Sequence, residues 1–177
     1  MSGRTRGRTV WGALAAVVAL GCAMYAVNPL KVPSGDPRLR ILGLNFYRIP
    51  TRGMEPTIGY GRIVLASAWA YCNADPKPGD IIMFRDPLDA ELLYAKRVIA
   101  AGGSTVEIAN GVTIVDGRPI AEPYLRGVAA HHELSRTMAK VQVPPGSYFV
   151  MGDNRDDSYD SRMFGFIARS AILARVE

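Results

Sequence analysis

Polar side chains in three segments of the chain have the types and spacing needed for chemistry. The segments are IPTRGMEPTIGYGR (49–62), YAKRVIAAGG (94–103) and MGDNRDDSYDSRMFGFI (151–167). Each carries charged or hydroxyl groups that a plain packed domain does not need. A lysine amine, with an ordinary pKa of about 10.4, acts as a general base near neutral pH only when burial lowers that pKa. Whether Lys96 is buried or exposed is therefore the first question that these segments raise.

The sequence around Lys96 is compatible with burial. Lys96 stands between Tyr94-Ala95 and Val98-Ile99, in a predicted strand whose alternate residues are apolar. Taken by itself, a lysine in such a run is more often a surface residue on an edge strand. The two interpretations stay open on this segment alone.

The acidic residues of DNRDDSYD (153–160) stand at short intervals, as they do in calcium-binding loops. A hard cation needs several converging oxygens and usually a later glutamate ligand. Two arginines lie within or directly after this cluster, and their charges oppose a cation. We therefore expect neither a metal nor another cofactor.

A mainly β domain is predicted to position these segments. Strand-like runs, rich in β-branched and aromatic residues, are separated by Gly, Pro, Asn and Asp. They are GRIVLAS, GDIIMFR, AKRVIAA, STVEIAN, GVTIVDGRPI and GSYFVMG. VEIANGVTIVDG predicts a hairpin with a tight turn at Asn110-Gly111 and a second turn at Asp116-Gly117. Helical periodicity favours only residues 88–94 and the tail from Ser170.

The run VWGALAAVVALGCAMYAV (10–27) contains no charged residue. As a helix it would reach about 27 Å, close to the hydrocarbon thickness of a bilayer. Three arginines and no acid precede it, so the positive-inside tendency places the N-terminus in the cytoplasm. We predict a cytoplasmic N-terminus and anchor in residues 1–28, a linker in 29–40 and an extracytoplasmic domain in 41–177.

Two alternatives to a retained anchor share the same pattern. A basic start before a short apolar run also fits a cleaved signal peptide, and ALGC ending at Cys22 loosely resembles a lipidation box. The leucine before that Gly-Cys pair fits the box poorly. A clean small-x-small cleavage site with a polar flank is also missing, which favours retention.

Charge and cysteine content exclude some classes of protein. Three of the 21 basic residues precede the apolar run, and the remaining 18 nearly balance the 16 acidic residues. Without a lysine or arginine cluster in the domain, nucleic acid is not expected as a partner. Cys22 lies in the apolar run and Cys72 lies in the domain. We therefore expect no internal disulfide and no cysteine metal site.

Together the three segments resemble type I signal peptidases, the serine endopeptidases that remove signal peptides from exported proteins. The long segment GDNRDDSYDSRMFG carries most of this resemblance. GDIIMFRDP (79–87), AKRVI (95–99) and GRPIAEPYL (117–125) add weaker agreement in the right order. IPTRGMEPTI also agrees, except that Gly53 stands in the serine position. The resemblance extends from the anchor to about residue 167.

The resemblance implies a fold of coiled antiparallel sheets on a single transmembrane helix, and a Ser/Lys dyad. Gly53 would occupy the position of the nucleophile, and Lys96 would be the general base. Thr51 would supply an oxyanion-hole hydroxyl beside the backbone N–H of residue 53. Ser158 would hydrogen-bond and orient the lysine amine.

The resemblance also implies supporting and substrate-binding residues. Asp160 and Arg162 would brace the site loop as a pair, and Arg97 would pair with an acid of that segment such as Asp153. Substrate would bind as an added strand, by β-augmentation. Shallow pockets for small side chains would be lined by Tyr47, Ile49, Pro50, Met54, Ile58, Ile81, Met83, Tyr94 and Ala95. For any single one of these residues, core packing is an equally good interpretation.

Glycine at position 53 has no side-chain atom with which to attack, so an acyl-enzyme at this position is excluded. In a well-studied serine protease, loss of the nucleophile lowers turnover about a million-fold. Three explanations remain: a natural paralogue that kept binding and lost cleavage, an engineered trap made by replacing the serine, or a protease that uses another hydroxyl. Thr51 and Thr57 are the hydroxyls near Gly53 in the sequence, and each would require the loop to shift.

The sequence thus predicts a signal peptidase I-type protein of the plasma (inner) membrane, inactive or severely impaired as written. Its partners would be signal peptides of exported preproteins, membrane lipid around the anchor, and an active paralogue. One alternative is a non-catalytic factor that binds signal peptides or pilin-like chains for assembly. Another is a conjugation-type peptidase that processes pilin, although GDNRDDSYDSR favours a general signal peptidase.

Overall fold

The computed structural model describes residues 3–125 and 131–177, with side chains described from Val10 onward. A helix, α1 (Gly3–Val27), opens the chain. Its segment Val10–Val27 has a mean hydropathy of 2.0 and none of it is buried, so by length and composition it could cross a membrane. Residues 1 and 2 of the predicted cytoplasmic N-terminus lie outside the described residues.

Eleven strands and two short helices follow α1. The helices are α2 (Glu133–Arg136) and α3 (Ser161–Phe164). The strands are β1 (Leu44–Arg48), β2 (Ile63–Ser67), β3 (Ile81–Arg85), β4 (Leu93–Ala101), β5 (Thr105–Ala109), β6 (Val112–Val115), β7 (Arg118–Pro119), β8 (Met138–Gln142), β9 (Ser147–Met151), β10 (Ile167–Ala168) and β11 (Ile172–Val176).

The strands form two antiparallel sheets. The larger has the order β1-β2-β11-β3-β4-β9-β10, and the smaller has the order β7-β6-β5-β8. A core cluster that includes Ile99, Phe149 and Met151 of the larger sheet with Val106 and Ile108 of the smaller one joins the two sheets. The prediction of a mainly β fold of antiparallel sheets is confirmed.

The predicted hairpin forms as expected. β5 pairs with β6 in a register that opposes Ala109 to Val112, which leaves Asn110 and Gly111 as a two-residue turn. Both have positive φ angles, 51° and 79°, as a type I′ turn requires. Asp116 and Gly117 make the next turn in the same way, with φ angles of 51° and 76°.

The helical predictions for residues 88–94 and for the tail were wrong. The tail forms β11, which pairs with β2 on one side and β3 on the other. A central strand is buried on both faces, so its sequence lacks the alternation that marks a half-buried strand. Residues 88–92 form a turn, in which the N–H of Leu88 donates to the Asp86 carboxylate, and Leu93 begins β4.

The predicted linker packs against the domain. Leu30, Val32 and Leu39 are buried in the core cluster beneath β1 and β2. Leu39 belongs to a short helical turn, Arg38–Leu42, which is joined to α1 by the Arg40 guanidinium, 4.4 Å from the centre of the Tyr25 ring. Burial of these residues fixes the start of the domain close to the end of α1.

Deletion of residues 172–177 is expected to abolish cooperative unfolding, because it removes a central strand and exposes the facing edges of β2 and β3. Urea titration followed by circular dichroism measures this. The control is Glu177→Gln, which leaves β11 intact and should shift the free energy of unfolding by less than about 1 kcal/mol, since the Arg175–Glu177 pair is exposed. A cooperative transition in the deleted chain would contradict the assignment of β11.

Candidate active site

Gly53 and Lys96 meet at the centre of the candidate site. Gly53 lies in the loop between β1 and β2, and Lys96 lies in β4 with only 3% of its surface exposed. The amine nitrogen Nζ is 2.8 Å from the position that a Cβ atom on Gly53 would take. Residues 43 positions apart in the sequence are therefore brought into direct contact.

The surroundings of Lys96 remove its amine from water. β4 lies between β3 and β9 in the larger sheet, and Nζ is 5.8 Å from the centre of the Tyr94 ring. That ring packs against Phe84 and Tyr159, and Phe164 closes the aromatic cluster. Burial lowers the pKa of the Lys96 amine, and this effect outweighs the opposing pull of the nearby Asp160 carboxylate.

Ser158 lies beside this contact. Its Oγ is 3.5 Å from the Cβ position at Gly53, and it is buried with no hydrogen-bond partner among the described residues. The hydrogen bond expected between Ser158 and Lys96 is therefore not formed in this structure. Ser158 Oγ is also the nearest hydroxyl to that position among the described residues, whereas Thr51 and Thr57 are exposed. The expectation that Thr51 and Thr57 are the relevant neighbours is corrected accordingly.

Backbone contacts attach the Gly53 loop to the segment after β9. The Asn154 N–H donates to the Gly53 carbonyl at 3.1 Å, and the Asn154 side chain donates to the Arg52 carbonyl at 3.3 Å. A Cβ atom on Gly152 would overlap both the Gly53 carbonyl oxygen and Ser158 Oγ. Only glycine at position 152 permits this approach of the two loops.

Two ion pairs hold the segment after β9. Arg97 Nε and Nη2 donate to the two carboxylate oxygens of Asp153 at 2.9 and 2.7 Å. Arg162 makes the same two-pronged contact with Asp160, at 2.8 Å for each bond. Asp160 also accepts the Gly152 N–H at 2.9 Å. Both acids are almost fully buried, so these pairs fix the backbone that carries Ser158.

A third buried ion pair was not foreseen from the sequence. Arg155 donates to both oxygens of Glu122 and, at 3.0 Å, to the Thr113 hydroxyl. It also donates to the Gly152 carbonyl at 3.1 Å. These contacts connect the site loop to β6 of the smaller sheet. The available signal was that Arg155 and Glu122 both lie in motif segments, GDNRDDSYDSR and GRPIAEPYL.

A cavity of about 240 Å³, here called the groove, opens beside Gly53. Thr51 lines it, and so do six of the nine residues predicted to bind substrate: Tyr47, Ile49, Pro50, Met83, Tyr94 and Ala95. The structure does not bring the other three to this groove. Met54 is 1% exposed and belongs to the core, while Ile58 and Ile81 line a separate cavity of about 310 Å³ near β2 and the end of β11.

Two strand edges border the groove. β1 lies at the end of the larger sheet and, among the strands that the structure describes, pairs only with β2. β4 pairs with β9 from Arg97 onward, so its segment 93–96 has no strand partner on that side within the described residues. Such edges present unpaired backbone donors and acceptors that an extended peptide can use.

Replacement of Lys96 by methionine is expected to raise the free energy of unfolding at neutral pH. The folded chain binds the Lys96 proton more weakly than the unfolded chain, so native stability rises with pH between the lowered pKa and the ordinary value near 10.5. Lys96→Met removes this rise, and the difference between the two proteins should shrink as pH approaches 10.5. Urea unfolding from pH 7 to 10 measures it.

The control is Lys77→Met, which replaces an exposed lysine and should leave the pH dependence unchanged. If the free energies of unfolding of Lys96→Met and of the native chain changed in parallel over this pH range, the lowered pKa of the buried Lys96 amine would be refuted.

Comparisons with known proteins agree with these observations. Residues 8–177 match the family model described as "Signal peptidase, peptidase S26". A probable signal peptidase I-1 from Synechocystis sp. is 36% identical over 71% of the chain and 65% of its own length, and a signal peptidase I from Bacillus caldolyticus is 32% identical over 78% and 80%. The chain thus spans about two thirds of the first relative's length.

A solved structure shares the fold. The crystal structure of a signal peptidase I from Enterococcus faecalis V583 superposes with a TM-score of 0.53 and 32% identity, covering 59% of this chain and 98% of that one. With the family model spanning nearly all residues, the chain belongs to the signal peptidase family, peptidase S26.

Proposed function

We propose that this chain is a signal peptidase I-type protein that binds the signal peptides of exported preproteins in its groove and cleaves them poorly or not at all. The observation that carries the proposal is the contact between the buried Lys96 amine and Gly53, at one end of a groove bordered by two free strand edges. Relatives named as signal peptidases supply the substrate class.

The reaction would require a hydroxyl on residue 53. Its oxygen would attack the scissile carbonyl carbon while Lys96 takes its proton, and Lys96 would then give that proton to the departing amine. Thr51 and the N–H of residue 53 would stabilise the oxyanion. Gly53 lacks the attacking oxygen, so this chain retains the proposed base and the groove without the nucleophile.

A second candidate function is a non-catalytic factor that holds signal-peptide-like or pilin-like chains beside an active paralogue. It is favoured by features that cost free energy and are still present. In a chain without a nucleophile, cleavage gives no reason to keep them, whereas peptide binding does. These include the dry amine and the buried pairs Arg97–Asp153 and Arg162–Asp160. Both candidates use the same groove, and they differ in whether a partner enzyme completes the reaction.

We further propose that α1 spans the membrane and that the domain touches the lipid on the extracytoplasmic side. Pro37 and Ile41 share a cavity of about 400 Å³ with α1 residues as far back as Val18, which lies roughly 13 Å along the helix from Val27. The start of the domain would therefore lie alongside the span. The exposed apolar residues of β1, β2 and their flanking turns form the apolar face of this proposal: Leu42, Leu44, Phe46, Ile63 and Trp69.

The Gly53→Ser variant is expected to cleave a preprotein with an Ala-x-Ala site, with a gain in turnover of up to about a million-fold over the native chain. The lysine end must move by a few tenths of an ångström, since Nζ is 2.8 Å from the new Cβ. Cleavage should rise with pH as Lys96 loses its proton, with a midpoint below 10.5. Initial rates from pH 6 to 10 measure both effects.

Three controls make this result decisive. Gly53→Ala should bind the preprotein without cleaving it, and Gly53→Ser with Lys96→Met should lose the gain. Ser158→Ala and Thr51→Ala in the native chain test for another nucleophile. If the native chain cleaves the preprotein and either change abolishes that cleavage, the proposed loss of activity is wrong. If the native chain does not bind the preprotein, the assignment of the groove as the substrate site is wrong.

The proposed membrane contact is tested by the fluorescence of Trp69. The chain has two tryptophans, and Trp11→Phe leaves Trp69 as the single reporter. In vesicles, brominated lipids should quench Trp69, because about half of its surface is exposed on the apolar face. Phe46→Asp should weaken the quenching by adding a charge to that face. If aqueous acrylamide quenched the Trp69 fluorescence and brominated lipid did not, the proposed contact between the apolar face and the membrane would be contradicted.

A further inference from the structure

A second cavity lies beside the Gly53 loop, and its lining differs from that of the groove. It has a volume of about 260 Å³ and is lined by residues that include Asp157, Ser158 and Tyr159. The Asp157 carbonyl oxygen is 3.3 Å and Ser158 Oγ is 3.5 Å from the Cβ position at Gly53, while Thr51 and Ala95 line the groove. Residues of the second cavity wall therefore lie within 3.5 Å of the reacting position.

The outer wall of the second cavity is held in place by hydrogen bonds. The N–H groups of His131 and His132 donate to the Asp156 carboxylate at 2.8 and 3.1 Å. The Ser135 hydroxyl donates to the Arg155 carbonyl at 2.7 Å, and Arg162 donates to the Leu134 carbonyl at 3.4 Å. These bonds attach the segment 131–135 to the site loop, so the cavity is formed before any substrate arrives.

The lining of this cavity is largely apolar and carries the negative charges of Asp156 and Asp157. Leu134, Tyr159 and Met163 supply apolar surface, and Met163 is 60% exposed. The arginines in the wall are neutralised by Glu122 and Asp160. Asp157, in contrast, has no salt-bridge partner within the described part of the chain, and its side chain is exposed. Such a site suits an apolar or basic side chain and disfavours an acidic one.

We infer that this cavity binds the first two residues of the mature protein, immediately after the scissile bond. The inference rests on the proposed function, in which the signal-peptide end occupies the groove. An extended chain that leaves the groove and passes Gly53 reaches this cavity next. The cavity would thereby make the start of the mature protein a second determinant of which preproteins are held.

Peptide binding to the full-length native chain in detergent micelles tests the inference, because Gly53 leaves the peptides uncut. One peptide ends at the last small residue of an Ala-x-Ala site, and others continue for four residues with Leu, Lys or Asp at the second position. The Leu extension should tighten binding about tenfold through apolar burial. The Asp peptide should bind about fivefold more weakly than the Lys peptide, and Asp157→Asn should reduce that difference.

Two further measurements locate the site. A benzophenone group at the second mature position should label Met163 or the segment 131–135. Met163→Glu should cancel the gain from the Leu extension, whereas Val112→Glu, a change at a position on β6 that is 45% exposed, should leave it intact.

The outcomes separate this inference from the proposed function. If the short peptide binds and the extensions add nothing, or if the probe labels only other regions, the second cavity is not a substrate site while the groove proposal stands. If the short peptide itself does not bind, both the inference and the proposed function are wrong.

Discussion

The structure depends on excluding water from the amine of Lys96. Moving a lysine amine out of water costs free energy. Lys96 is nevertheless enclosed in a central strand beside an aromatic cluster, so the packing of the sheet must offset this cost. Nearby carboxylates would favour the charged form if they were free. Asp153 and Asp160 instead have arginine partners of their own, so their pull on the lysine proton is reduced. The lowered pKa of the Lys96 amine is thus a property of the whole arrangement and not of the lysine alone.

The buried ion pairs are best understood as fixing geometry. Pairs of this kind often contribute little net stability, because desolvation offsets their attraction, but loss of one partner leaves an uncompensated charge. Here they fix three points of one loop: Asp153 to β4, Arg155 to Glu122 and the smaller sheet, and Asp160 to Arg162 and Gly152. Gly152 then lets the Gly53 loop approach closely. The smaller sheet, far from any chemistry, thereby contributes to the position of Ser158.

Gly53 separates two properties that usually occur together in a protease. Binding depends on strand edges and shaped cavities, and cleavage depends on an oxygen atom that this chain lacks. Under the proposed function, a chain with Gly53 and the groove would hold a peptide for longer than an active enzyme would. The orphaned Ser158 hydroxyl marks the centre of that arrangement, since it is buried without a partner beside the vacant side-chain position.

Local sequence patterns determined the apolar helix, the hairpin with its Asn110-Gly111 turn, and most of the strands, because alternation and turn chemistry act over a few residues. Motif resemblance indicated Gly53, Lys96, Ser158 and the Arg97 and Arg162 partners. Tertiary structure alone decided that the tail is a central strand, that Met54 is core, that Arg155 reaches Glu122, and that Ser158 is the nearest hydroxyl to Gly53. These features arise from contacts between residues far apart in the chain, and the energy of such contacts is not encoded in any local pattern.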